Sequence, residues 1–138
     1  MRLYQNYHKH THYTNPLISD SIATYEDYAR RAKELGHQII SSCEHGYQGR
    51  YIECYNLAKQ YGLKFLFAAE AYWVIDRTAK DDTNCHIILT ALNESGRRDI
   101  TRILSEANKT GFYSRPRVDI ELLLSLNPSN VIITTACV

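Results

Sequence analysis

Leu63-Lys-Phe-Leu-Phe-Ala-Ala-Glu70 decides the fold class, because a nearly unbroken apolar run of strand length reads as a β-strand covered on both faces, the habit of parallel sheets. Working outward, Gly62 closes a helical period over Arg50 to Tyr61, and Gln38 to Ser42 forms a short strand before it. Upstream, Thr24 caps a helix through Tyr25, Tyr28, Ala29, Ala32 and Leu35, with Asp27 as a weak capping box and Gly36 as the stop. A first strand is expected over Leu3 to His10. Downstream, Cys85 to Leu92 gives a fourth strand, and Asn93 caps a helix from Glu94 to Lys109 that Gly111 closes. A shorter helix spans Asp119 to Leu126, and Val131 to Val138 resumes strand character. Apolar runs alternating with amphipathic stretches predict an α/β fold of βα units, a parallel sheet with flanking helices.

A chain of 138 residues suits one domain but falls short of the roughly 200 to 250 that barrels usually need. The sequence stops inside an apolar strand-like run, so residues 1–138 are expected to be part of a single domain, incomplete at its C-terminus. Sixteen basic and fifteen acidic side chains leave a net charge of +1, so no global field draws the chain to nucleic acid or to an anionic membrane. Phosphate recognition must therefore be local. Four cysteines, Cys43, Cys54, Cys85 and Cys137, form no CxxC pair, and the N-terminus does not resemble a signal peptide. Free thiols and a cytoplasmic location are expected. No apolar run approaches the roughly 18 to 20 residues of a membrane span.

In Tyr7-His-Lys-His-Thr-His-Tyr13 three histidines, His8, His10 and His12, stand at alternate positions. In an extended strand they share one face at a spacing of roughly 6.5 Å, close enough for two rings to tilt onto one metal ion; a solvated strand is the competing reading. Glu70 ends an apolar run where an ionised carboxylate requires a partner, either a metal or an arginine. His45 follows the second strand and His10 and His12 end the first, at the strand ends where α/β folds build their sites. Taken singly, Asp20 reads as a turn residue, His86 as a buried histidine bonded to backbone, and Cys137 as a small core residue. His37, after a helix stop, and His8, a step deeper in the strand, are assigned to structure. Arg115, Arg117 and Arg50 are either phosphate-binding guanidiniums or solvated loop charge.

Taken in order, these groups resemble the PHP (polymerase and histidinol phosphatase) family, in the branch found at the N-terminus of bacterial DNA polymerase III alpha subunits. The resemblance rests on His10-Thr-His12, Asp20, Glu44-His45-Gly46, Glu70 in Ala-Ala-Glu-Ala-Tyr, His86 in His-Ile-Ile-Leu-Thr-Ala-Leu-Asn-Glu-Ser-Gly, and Cys137 in Ile-Ile-Thr-Thr-Ala-Cys. It implies a distorted βα barrel of TIM-like type, here truncated. It makes His10, His12, Asp20, His45, Glu70, His86 and Cys137 metal ligands, with His10, His12 and Glu70 central to catalysis. Up to three divalent ions are implied, and the mixed N, O and S donors favour Zn²⁺, Mn²⁺ or Fe²⁺. The family's last ligands form an Asp-x-His motif that this sequence lacks, so two metal positions would each miss a ligand. The implied activity is metal-dependent phosphoester hydrolysis, as a 3′→5′ exonuclease on single-stranded DNA ends within a bacterial or phage replicative polymerase. Two alternatives are a non-catalytic, metal-braced module of the polymerase and a stand-alone phosphomonoesterase like histidinol phosphatase.

Overall fold

The computed structural model describes residues 4–14, 21–83 and 85–136. A segment without regular structure over 4–11 leads into a 3₁₀ turn at His12–Thr14 and then helix α1, Tyr25–Glu34. Strand β1 (Ile39–His45), helix α2 (Tyr51–Gln60) and strand β2 (Lys64–Trp73) follow. The chain continues through β3 (Cys85–Ala91), α3 (Glu94–Thr110), β4 (Phe112–Tyr113), β5 (Arg115–Val118), α4 (Ile120–Leu124) and β6 (Val131–Thr135).

Local signals set the helices. Thr24 Oγ1 accepts from the Asp27 amide at 3.1 Å and Asp27 Oδ2 accepts from the Thr24 amide at 3.1 Å, a full capping box at the start of α1. Asn93 and Asp119 cap α3 and α4 with the side-chain half of this arrangement alone, accepting from the Gly96 and Leu122 amides.

The sheet is organised around β2. One edge of β2 pairs in parallel with β1, from Ile39 opposite Lys64 to His45 opposite Glu70. Where β1 ends, β5 takes over the same edge, placing Arg117 and Val118 opposite Tyr72 and Trp73. The other edge pairs antiparallel with β3, which pairs antiparallel with β6. The α/β class and flanking helices stand as expected, but the sheet is mixed rather than wholly parallel. A parallel return needs a crossover, usually a helix. The connection after β2 instead folds into two Asp-x-Thr turns, with Asp76 Oδ1 accepting from Thr78 and Asp81 Oδ1 from Thr83.

Two further boundaries differ. The first strand expected over Leu3 to His10 joins no ladder among its described residues. The strand read from the Leu63 to Ala69 run, with Glu70 expected at its end, extends to Trp73, which puts Glu70 inside β2.

Alternate residues divide β2 into two faces. Phe67, Ala69 and Ala71 pack against Ile100, Ile103, Leu104 and Ala107 of α3. A second cluster joins α1 and α2 to the sheet through Tyr25, Ala29, Ile40, Cys54, Ala58 and Leu63. The opposite face of β2 carries Ala68, Glu70 and Tyr72, and Ala68 closes a small third cluster with Cys43 and Ile88. Cys43, Cys54 and Cys85 are free thiols. Among the described residues no helix is long and apolar enough to cross a membrane.

Candidate metal centre

Register builds the site. Directly paired residues share a face of a sheet, so His45, opposite Glu70, lies on the face of Glu70 and Tyr72, and so does His86, opposite Tyr72. Glu70 is 1% exposed. Its Oε2 lies 3.6 Å from His45 Nδ1, and its Oε1 lies 3.1 Å from His86 Nδ1.

Two more imidazoles reach the same carboxylate from the N-terminal segment. His8 Nε2 and His10 Nε2 each lie 2.8 Å from Glu70 Oε2. Residues 8 to 11 keep the two-residue alternation of extended chain although no strand among the described residues pairs with them. His8 and His10 turn toward Glu70, while Lys9 and Thr11 turn into the protein, where Lys9 Nζ donates to Ser41 O at 2.7 Å. The rings of His10 and His45 stack at 4.0 Å, and those of His45 and Tyr72 at 5.8 Å.

Burial alone would raise the Glu70 pKa, but hydrogen bonds from His10 and His8 and the charge of His45 hold the carboxyl well below the usual range. Burial pulls His86 down, opposed by Glu70 and reinforced by Arg115. The two shifts favour an ionised Glu70 and a neutral His86 ring, the forms in which those two groups bind metal. Two groups of ligand atoms, His8–His10–Glu70 and His45–Glu70–His86, each lie within 4.8 Å of one another and share the carboxylate. This donor set fits divalent cations that accept imidazole and carboxylate.

Residues 6–138 match the family profile described as PHP domain. The chain belongs to the PHP domain family. Its relatives include the DNA polymerase III subunit alpha of Aquifex aeolicus (strain VF5), 30% identical over 141 residues, covering 94% of this chain and 12% of that protein. The corresponding subunit of Borreliella burgdorferi is 32% identical over 139 residues, covering 95% of this chain and 12% of that protein. This PHP domain thus spans about an eighth of the length of those relatives. Among solved structures, a Bifidobacterium adolescentis protein provisionally described as a metal-dependent phosphoesterase aligns with a TM-score of 0.42 and 18% identity, over 63% of this chain and 30% of its own. That likeness is too partial to carry a functional inference.

Of the ligands expected for the PHP domain, His10, His45, Glu70 and His86 come together. Asp20 and Cys137 lie outside the described residues. His12 is in neither group of ligand atoms among the described residues. The 3₁₀ turn beginning at His12 breaks the alternation, and the ring packs on Tyr13 with centroids 4.1 Å apart. His12 Nδ1 is buried with no hydrogen-bond partner among the described residues. His8, assigned to structure from the sequence, is instead the ring that lies 2.8 Å from Glu70 Oε2 beside His10. The signal that could have found it was the alternation itself, which fits His8 and His10 as well as His10 and His12.

The three arginines separate. Arg117 is buried and donates to the carbonyls of Gly111, Asp81 and Arg77 at 2.9, 2.9 and 2.7 Å, so its guanidinium ties loops together instead of facing a phosphate. Arg50 is exposed, pairs with Glu53 at 3.3 Å and lies over the Tyr13 ring. Arg115 lies beside the centre, 4.9 Å over the Tyr72 ring and close enough to lower the His86 pKa.

Proposed function

We propose that this PHP domain is the N-terminal region of a bacterial or phage replicative polymerase subunit, and that its His–Glu centre is a metal-dependent phosphoesterase site acting as a 3′→5′ exonuclease. The observation that carries the reading is the convergence of His8, His10, His45 and His86 on one buried carboxylate. Four imidazoles around a single glutamate serve coordination better than stability, since buried ion pairs contribute little net stability. Zn²⁺, Mn²⁺ or Fe²⁺ would be held by these five residues, with Glu70 shared between the two groups. Bound cations of this kind supply Lewis-acid stabilisation of phosphoryl charge and a nucleophilic water at neutral pH.

The protein's own groups do the rest. Glu70 holds His8 and His10 in place and stays ionised throughout the neutral range. Arg115, supported by the Tyr72 face, offers a guanidinium to a phosphate oxygen beside His86. The substrate is the 3′ end of single-stranded DNA, the partner is the rest of the polymerase subunit, and the location is the cytoplasm.

Elemental analysis followed by assay on 5′-labelled single-stranded DNA tests this reading. Bound transition metal is expected, with nucleotides released from the 3′ end, stopped by chelator and by Glu70→Gln. Folded wild-type protein that takes up no divalent metal would refute it. Metal without hydrolysis, with unfolding on chelation, would assign the site to a structural brace. Hydrolysis of p-nitrophenyl phosphate but not DNA would assign it to a phosphomonoesterase.

A further inference from the structure

Among the described residues the segment that brings His8 and His10 to Glu70 joins no ladder, so other contacts must fix its position on the sheet. Its inward side chains do so. Lys9 Nζ donates to Ser41 O at 2.7 Å and Ser41 Oγ at 3.0 Å. Three residues along β1, Glu44 accepts from the Thr11 amide at 3.1 Å, from Thr11 Oγ1 at 2.6 Å and from Thr14 Oγ1. Glu44 is 1% exposed. Its neighbour His45 points to the opposite face of β1, toward Glu70.

We propose that Glu44 is the positioning residue of the centre: its carboxylate latches Thr11 and Thr14 and thereby sets where His8 and His10 stand relative to Glu70. This rests on the metal-centre reading of Glu70 and its four imidazoles. All three partners donate to the carboxylate, whose two oxygens only accept. Glutamine keeps one carbonyl oxygen and turns an amide N–H₂ toward a present donor, so Glu44→Gln removes the charge and weakens the latch at nearly constant shape. Thr14→Val removes one donor and is the milder variant should Glu44→Gln fold poorly.

Two measurements on the whole chain decide it, with Co²⁺ as the probe. The first is amide hydrogen exchange of the metal-free protein. Both variants are expected to speed exchange of the Thr11 amide at least about tenfold while the amides of β2 and β3 stay protected. The second is Co²⁺ titration followed by its visible absorption. Affinity is expected to fall about 10- to 100-fold, the usual range for groups that orient ligands. Unchanged Thr11 exchange overturns the proposal. So does faster Thr11 exchange with Co²⁺ affinity within about twofold of wild type, since a merely structural latch would give that result. Wild-type protein that binds no Co²⁺ overturns the metal-centre reading itself and takes the proposal with it, an outcome distinct from failure of the latch alone.

Discussion

Gly46→Ala should damage both the fold and the centre, and the structure separates the two contributions. Gly46 adopts φ +68°, in the left-handed region that L-residues avoid, and its amide donates to Glu70 O at 2.7 Å. A β-carbon there would stand 2.9 Å from Tyr72 Cε2, 3.3 Å from Tyr72 Cδ2 and 3.2 Å from Pro116 Cγ. Tyr72 cannot yield easily. It is buried, its ring lies 5.8 Å from that of His45 and 5.0 Å from that of His86, and Arg115 covers it.

Gly62→Ala is the matched control. Gly62 has the same φ of +68°, but its β-carbon would meet only Lys33 Nζ, at 3.5 Å. Left-handed strain costs about 1–2 kcal/mol, and the stiffer unfolded chain returns about 0.4–1 kcal/mol. Gly62→Ala should therefore destabilise by about 1 kcal/mol. Gly46→Ala adds the overpacking of Tyr72 and Pro116, about 1–3 kcal/mol, for a total near 2–4 kcal/mol. Urea unfolding of both variants, fitted with a common slope, reads the difference. Metal titration should show weakened affinity for Gly46→Ala alone, because only there does a displaced ring press on His45 and His86. Equal midpoints for the two variants would refute the argument, since the steric contribution would then be absent.

His8→Ala should weaken divalent-metal binding at least about tenfold while His12→Ala leaves most of it; isothermal titration checks this, and the reverse order would contradict the geometry. Burial lowers the Lys9 pKa from 10.5 to about 8. Between those values the unfolded chain holds a proton the folded chain has released, so this group's contribution to stability rises with pH across that window, by up to about 3 kcal/mol. The comparison must be with Lys9→Met, because thiols such as Cys54, which burial pushes up to about 12, pull the other way above pH 9. Parallel stability–pH curves for wild type and Lys9→Met would show the lysine to be solvated. Ile100→Ala, at a fully buried contact between α3 and the sheet, should cost about 2–5 kcal/mol in urea unfolding; a loss below 1 kcal/mol would mean that the cluster repacks around the cavity.

The parts of the fold legible in the sequence are those that neighbouring residues decide. Thr24 with Asp27, Asn93, and the glycines after α1 and α2 act within a turn of chain, and the helices they bound lie where those residues place them. The direction of β3 is not local information. It depends on whether the chain after Trp73 builds a crossover helix, and the Asp76 and Asp81 turns use short polar residues that read equally well as an ordinary loop. The candidate site shows the same division. Glu70 stood out because a carboxylate within an apolar run needs a partner, whereas His45 and His86 reach it through strand register, which only the folded sheet supplies.

The choice between His8 and His12 shows most sharply where local reading stops. Alternation marks all three histidines of Tyr7 to Tyr13 as equivalent, and nothing among those seven residues says where the extended segment ends. It ends because the Thr14 amide donates to Thr11 O at 3.0 Å, closing a 3₁₀ turn, and because the Thr11 and Thr14 hydroxyls both donate to Glu44. Glu44 lies on a strand some thirty residues further along the chain. A residue on β1 therefore decides which two of three identical side chains face Glu70. Shifting the turn by one residue would reverse the alternation, sending Lys9 and Thr11 toward the carboxylate and both histidines into the core, so the register of the centre depends on that long-range contact together with the Lys9–Ser41 bonds on the same inward face.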